Sequence, residues 1–439
     1  MKKALLLLLT TLLFFTAACS GGSGSTTAGK YPTDDTYHPE TDHPYYMSAI
    51  TGYVSVARAQ NGYYFMLDNT LLYADVDTME PIPVCAKPNC RHHEETDMAK
   101  QQACSAYFPR QSASSVFVSN GQLYVFHSTF GLNLAGKAPE ISGYALTKVS
   151  FDGSVRETLL TFENAQMVLQ LIHRGRFYMV VQTTDEQGYS TYEIRSYSLD
   201  NPNEEPKVLY RSQPIALSHS VVQNFYAYGM RLYVKEELAD TDDWQNLVLR
   251  ICDLNTGEWT VIVNPEGYRM GPSSIAAGKL VCAYWPIGIS AMYNAGEDVP
   301  NLAAPMISYA LDGSDAQELA FESWGTMMAD ANYIYLVSPR ITQLHADGSY
   351  TISTPTDSLY FCDPEMNLVD ELPLERIARP GGTLTGYMIF PLEGGNVLLY
   401  ARYQDGMAFY SIDRDQIGSG EITPTVFLEY DFGEYSIAG

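Results

Sequence analysis

Ser115-Val116-Phe117-Val118-Ser119-Asn120-Gly121-Gln122-Leu123-Tyr124-Val125-Phe126 is the stretch that decides the fold. Asn-Gly between two runs of β-branched and aromatic residues predicts a two-residue hairpin. Both turn positions need positive φ, which Gly takes freely and Asn tolerates. Downstream, Tyr144–Ser150 leads through Phe151-Asp152-Gly153-Ser154 into Val155–Leu160. The segment therefore predicts four short strands and two tight turns. One four-stranded sheet cannot bury both faces, so it needs neighbours.

The chain supplies them. The strand centred on Tyr124 has counterparts at Tyr64, Tyr178, Tyr233, Val281, Tyr335 and Leu399, at intervals of 48 to 64 residues. Each is followed by a second strand ending near an acidic turn, as at Tyr192–Asp200 and Phe409–Asp413. Helical periodicity is scarce, and 33 Tyr, 33 Gly and 23 Pro suit many short strands and turns. Four strands per unit at this period predict an all-β propeller over residues 46–439. Seven blades are counted, with six or eight allowed if a boundary copy is misread. Two sandwich domains are the rival, but sandwiches do not repeat one strand order at a regular period. The aromatic strand followed by an Asp-x-x-Gly hairpin resembles TolB-like and low-density-lipoprotein-receptor-type propellers. That resemblance implies a fold and no activity.

Residues 1–18 lie outside this pattern. Lys2-Lys3 precedes a twelve-residue apolar run, Ala4–Phe15, too short to span a bilayer comfortably. Thr16-Ala17-Ala18-Cys19 follows and resembles a bacterial lipoprotein signal. The resemblance implies cleavage before Cys19 and acylation of its thiol, palmitate included. The lipid bilayer is then a partner through the Cys19 anchor, and the location is the extracytoplasmic face of the cell membrane. Residues 19–45 begin Gly-Gly-Ser-Gly-Ser-Thr-Thr and read as a flexible tether.

The chain carries 26 Lys+Arg against 51 Asp+Glu, a net charge of −25; removing Lys2 and Lys3 with the signal takes it to about −27. An acidic surface lacks the basic footprint of a nucleic-acid binder.

Antiparallel strands reverse at every turn. The tight turns thus share one face of the ring, and the connections between second and third strands share the other with the blade-to-blade links. The long segments 84–108, 127–143, 183–190, 236–245, 285–305 and 338–357 all fall in the second set, which makes that face the expected functional one. Trp244, Tyr284, Trp285 and Tyr293 sit in or beside these segments and are the candidates for stacking on a ligand.

Within 84–108, Cys85-Ala86-Lys87-Pro88-Asn89-Cys90-Arg91-His92 is followed by Cys104. Cys85, Cys90, His92 and Cys104 offer a Cys3His donor set for a structural zinc ion. A disulfide is the equal alternative in an oxidising compartment, although three clustered thiols leave one over. The run resembles a C-x-K-P-x-C-x-H signature of uncharacterised clostridial propeller lipoproteins. Cys252, Cys282 and Cys362 lie in predicted strands and read as core.

No metalloprotease, nucleophile-elbow or phosphate-loop motif occurs, and 240–244 lacks the Gly and Glu of a calcium loop. No catalytic residue is assignable. Two functions stay open: a surface lipoprotein binding an unknown protein, peptide or glycan, and an extracellular glycan hydrolase or lyase.

Overall fold

At Asn120 and Gly121 the backbone turns with φ of 49° and 65°, as the Asn-Gly dipeptide requires. In the computed structural model this turn joins the strands Ser115–Ser119 and Gln122–Phe130 in the second blade of a ring. Residues 30–44, 55–67, 69–92, 95, 97–108, 115–130, 141–163, 166–214, 222–237, 247–286, 305–322, 326–337, 341–344, 350–352, 358–379, 382–392 and 395–431 are described. Contacts divide the chain into two compact units, Met1–Pro32 and Thr33–Gly439, and the second carries the propeller.

Blade 1 contains β1 (Val56–Ala59), β2 (Gly62–Leu67), β3 (Thr70–Asp75) and β4 (Pro81–Pro83). Blade 2 contains β5 (Ser115–Ser119), β6 (Gln122–Phe130), β7 (Ile141–Val149) and β8 (Arg156–Glu163). Both are antiparallel sheets in sequence order. Blades 3 to 7 repeat the arrangement over 166–211, 222–262, 268–322, 326–373 and 384–431. The seven predicted Tyr/Leu/Val positions all lie in second strands. Blade 6 carries an addition: a small hairpin, Ile341–Leu344 with Tyr350–Ile352, between its second and third strands.

The core is not one cluster. Among the described residues, seven clusters of buried apolar side chains occur, and each spans one seam between neighbouring blades. This distribution follows from strand alternation: every sheet has two apolar faces, and each face is covered only by the next blade. Cys252, Cys282 and Cys362 are buried in such seams, as expected.

Among the described residues, ring closure uses no exchanged strand. Blade 7 is built wholly from 384–431 and blade 1 from residues after Ser55, so the seam between them is closed by side chains. Phe65 of blade 1 meets Phe409 and Phe427 of blade 7 with ring centroids 5.6 and 6.4 Å apart.

The tether reading reaches residue 45, yet Thr33–Pro44 lies against the propeller. Arg174 holds Asp42 through paired bonds of 2.8 and 3.0 Å, and both side chains are buried. Arg174 also donates to the carbonyls of Asp34 and Thr36. Asp35 pairs with Arg231, and the backbone N–H of Asn120 donates to the Glu40 carbonyl. This strap therefore crosses the inner hairpin turns of blades 2, 3 and 4. Among the described residues, no helix is long and apolar enough to cross a membrane.

Candidate metal centre and the loop-bearing face

Residues 85–105 interrupt the outermost strand of blade 1. Val84 donates its N–H to the Leu71 carbonyl, and Leu71 donates its own N–H to the Ala106 carbonyl. Phe108 then donates to the Asn69 carbonyl. Both feet of the excursion thus stand on one edge of β3. It leaves the sheet at the β2–β3 end, the end strand alternation assigned to the long connections.

The excursion folds back over the outer part of the seam with blade 2. The Arg156 guanidinium of β8 lies 3.9 Å from the Phe108 ring centroid and donates to the Ser105 and Tyr107 carbonyls. Gly153, in the β7–β8 turn, has φ of 72° and sits so close that a Cβ there would lie 2.2 Å from the Val84 carbonyl oxygen. Phe108 meets the His127 ring edge-on at 5.2 Å.

Inside the excursion, local chemistry brings the four donors together. Asn89 and His92 take positive φ, 60° and 53°, which folds the chain sharply around Cys90. Asp97 caps α1 (Met98–Gln102), accepting from the N–H groups of Ala99 and Lys100. The Lys87 ammonium donates to the Ala103 carbonyl, the C-cap of that helix, where a cation is favoured. Cys104 follows directly.

The donor atoms of Cys85, Cys90, His92 and Cys104 all lie within 4.8 Å of one another. Cys104 Sγ is 3.5 Å from His92 Nδ1. Zn–S of about 2.3 Å and Zn–N of about 2.0–2.1 Å at tetrahedral angles require S···N of about 3.6 Å and S···S of about 3.8 Å. The cluster needs only a small contraction to meet that geometry. A disulfide requires S–S of about 2.05 Å, and all six described cysteines are free thiols.

The thiols differ in acidity. Burial pushes the Cys85 thiol up, but the N–H groups of Lys87 and Ser105, the Ser105 hydroxyl and the Cys104 thiol outweigh it and bring the thiol down to about 7. Burial takes Cys104 the other way, to about 12, with the Cys90 and Cys85 thiols adding to the rise. The Cys85 thiolate thus forms readily, whereas its neighbours oppose one at Cys104. A divalent cation among them reverses that opposition. The residues present could therefore hold a metal ion such as zinc.

The candidates for ligand stacking fare differently. Tyr284 is a correction: it is fully buried in the seam between blades 4 and 5, and its hydroxyl bonds that of Tyr309 at 2.6 Å. Tyr284 lies inside the strand Lys279–Pro286, on the same face as Leu280 and Cys282, which packs against blade 4. Trp285 lies in the same strand, opposite Arg269. Trp244, Tyr293 and Cys19 lie outside the described residues.

Sequence reading missed the strap contacts. His173 is wholly buried; its Nδ1 accepts the His43 N–H at 3.0 Å and its Nε2 donates to the Gly229 carbonyl at 2.7 Å. Beside the strap, a cavity of about 620 Å3 is bounded by Tyr37, Glu40, Arg58, Tyr64, Phe117 and Phe151, among others. The available signal was the change from Gly/Ser/Thr to Asp, Tyr, His and Pro after Lys30.

No protein-family profile matches the chain, and no curated protein matches it. Solved structures do. A prolyl endopeptidase structure is 11% identical over 88% of this chain and 50% of its own, with a TM-score of 0.50. The tricorn protease is 11% identical over 90% of this chain and 36% of its own, TM-score 0.49. The β-propeller domain of the Trilobed protease from Pyrococcus furiosus is 12% identical over 69% and 80%, TM-score 0.43. The chain thus spans half or less of the first two. At these identities the likeness concerns the fold: this is a seven-bladed β-propeller. No particular activity follows from it.

Proposed function

We propose that the chain is a lipid-anchored, extracytoplasmic binding protein whose propeller presents its long connections to a protein, peptide or glycan. The observation that carries this reading is topological: in blades 2, 4, 5 and 6 the connection between the second and third strands is the longest of the blade, and residues 84–114 lead from blade 1 to blade 2 at that same end, whereas blade 7 reverses the pattern with 413–424 at the other end; loops gathered on a rigid scaffold are free to vary for recognition. The Cys/His excursion serves that scaffold. In this reading Cys85, Cys90, His92 and Cys104 hold one structural zinc ion, which fastens a 21-residue insertion having almost no regular structure of its own. Bound zinc would supply crosslinking, and the residues around it supply attachment: β3 at both feet, Lys87 at the helix end and Arg156 from the next blade.

Two measurements test it. Elemental analysis with thiol titration on native protein should find one zinc per chain and no disulfide among these cysteines; two oxidised thiols and no metal would overturn the zinc assignment. Replacing 288–303 by Gly/Ser should abolish binding to whichever glycan, peptide or cell-wall fraction the intact protein retains. Undiminished binding would remove that loop from the recognition surface.

A further inference from the structure

The seam between blades 4 and 5 is apolar over most of its depth. Tyr226, Tyr233, Leu280, Cys282 and Tyr284 fill it where the sheets are regular. Toward the end that carries the long connections the packing changes, because both innermost strands are bulged. Val222–Tyr228 of blade 4 takes in one extra residue between Val222 and Asn224. Tyr268–Ala276 of blade 5 takes in one between Met270 and Ser273. A bulge interrupts the ladder and re-aims side chains, and bulges gather beside functional sites.

Lys235 joins the two bulges. It lies opposite Asn224 across the ladder, and its ammonium donates to the Gly271 carbonyl at 3.2 Å. Among the described residues that long bond is the only one made by its three N–H donors, and no carboxylate pairs with it. The neighbouring acids act elsewhere. Glu237, buried two positions on, bears on the Arg269 guanidinium, and Glu236 turns to the other face, toward Arg250. Burial holds the Lys235 pKa down to about 8, with Arg269 adding to the fall and the Cys282 thiol opposing it. Asn224 is nine-tenths buried, and its Oδ1 accepts no hydrogen bond. Cross-strand neighbours of this kind share one face, with Cβ atoms about 5 Å apart.

A cation short of acceptors and a carbonyl oxygen short of a donor are each costly to bury. Together they define their complement: an anionic group with a hydrogen-bond donor a few bonds away. The end residue of a peptide carries both. Its carboxylate answers Lys235, and its own amide N–H answers Asn224. An acidic polysaccharide offers carboxylates beside hydroxyls, but it brings a row of them to a chain of net charge −25, whereas a peptide terminus brings one. We infer that Lys235 and Asn224 receive the C-terminal residue of a peptide ligand at the inner end of this seam. The inference deepens, and rests on, the reading of the long-connection face as the recognition surface.

The test uses the full processed protein with three probes: an N-acetylated hexapeptide library with free C termini, the same library amidated, and trigalacturonate. Retention is measured by mass spectrometry after equilibrium filtration. Free-acid peptides should be held about tenfold better than their amides or more, the ratio expected of one charge-assisted hydrogen bond. Lys235→Met should erase that ratio, and Asn224→Leu should weaken retention of the free acids. Met keeps the aliphatic stem and removes an unpaired charge, so the thermal midpoint of Lys235→Met should hold or rise. A fall would make Lys235 a structural group and overturn the site. Retention indifferent to amidation, or trigalacturonate held in preference to peptides, also overturns it while leaving the recognition surface standing. Retention of none of the three overturns the site as well, and replacement of 288–303 then decides the recognition surface by itself.

Discussion

Truncating Phe409 should open the ring at one place, whereas the same truncation at Phe177 should not. Phe409 is buried in the seam between blades 7 and 1, with Phe65, Tyr400 and Phe427 at ring distances of 5.6, 5.3 and 5.8 Å. Phe177 is buried in the seam between blades 2 and 3, with Phe126 and Phe162 at 5.6 and 5.8 Å. The lost chemistry is the same, about 3–5 kcal/mol for each Phe→Ala. The connectivity differs. Only residues 164–165 separate the last strand of blade 2 from the first of blade 3, so those sheets stay at high effective concentration when packing weakens. Blades 7 and 1 are joined through the rest of the ring and, among the described residues, share no strand. The lost 3–5 kcal/mol should therefore appear there as a local opening, roughly a hundredfold to a few thousandfold more populated. Native-state hydrogen exchange reads it: in Phe409→Ala, amides of β1, β2 and the strands Val397–Tyr403 and Gly406–Ile412 lose protection selectively. In Phe177→Ala, protection falls evenly with global stability. The same even fall in both variants would refute the argument that this seam is closed by side chains alone.

The remaining predictions concern the excursion and the strap. Cys104→Ser should remove the bound metal, and chelation should then destabilise the parent but not the variant; a metal at a hundredfold its dissociation constant contributes about 2.7 kcal/mol, visible in a thermal scan. Gly153→Ala should cost at least about 1 kcal/mol for the left-handed backbone alone, with more from the contact at Val84, again by thermal scan. Burial lowers the pKa of His173 against the opposing pull of Asp42 and the Gly229 carbonyl, while the neighbouring Arg174 cation lowers it further. The neutral ring is thus the folded form, so its contribution is intact above about pH 6.5 and declines as pH falls below that toward the lowered folded-state value. Protonation would place a hydrogen on Nδ1 facing the His43 N–H, so exchange protection of 33–44 should fall between pH 7.5 and 5, and should not depend on pH in His173→Leu. Arg174→Asn restores the Asn-Gly turn chemistry of blade 2 while removing the strap's ion pair; it should leave the blades folded and expose 33–44 to limited proteolysis.

What was legible in the sequence was whatever local chemistry decides. Asn120-Gly121 and Asp152-Gly153 set their turns within four residues, and the aromatic second strands repeat because every blade faces the same packing problem. The donors Cys85, Cys90, His92 and Cys104 were legible for a related reason: they lie within 20 residues, and chain length alone keeps them near one another. Tyr284 was misread because it stands beside the 285–305 segment, yet it belongs to a strand whose two faces are both covered by neighbouring blades. The strap was not legible because its partners are remote. Asp42 and Arg174 are 132 residues apart, and nothing in 33–44 alone says that a guanidinium awaits it.

Distributing the core among seven seams leaves one thing undetermined. Apolar contact is non-directional, so two sheets pressed face to face could slide along their strands at modest cost. Directional bonds at the strand ends supply what the seams lack. Between blades 3 and 4, Glu236 accepts from Tyr192 on one side and pairs with Arg250 on the other. Between blades 6 and 7, Asp330 accepts from the N–H groups of Asn332 and Tyr333, from the Tyr335 hydroxyl at 2.7 Å and from Arg414 at 2.6 Å. Arg414 in turn donates to the Gly395 and Leu392 carbonyls in the first turn of blade 7. Each of these groups would be costly to bury alone and is satisfied only at one relative position of its two blades. The strap extends the same principle across three blades at once, with Arg174 as its fixed point. Rigid placement of the long connections rests on these few polar contacts as much as on the apolar seams between them.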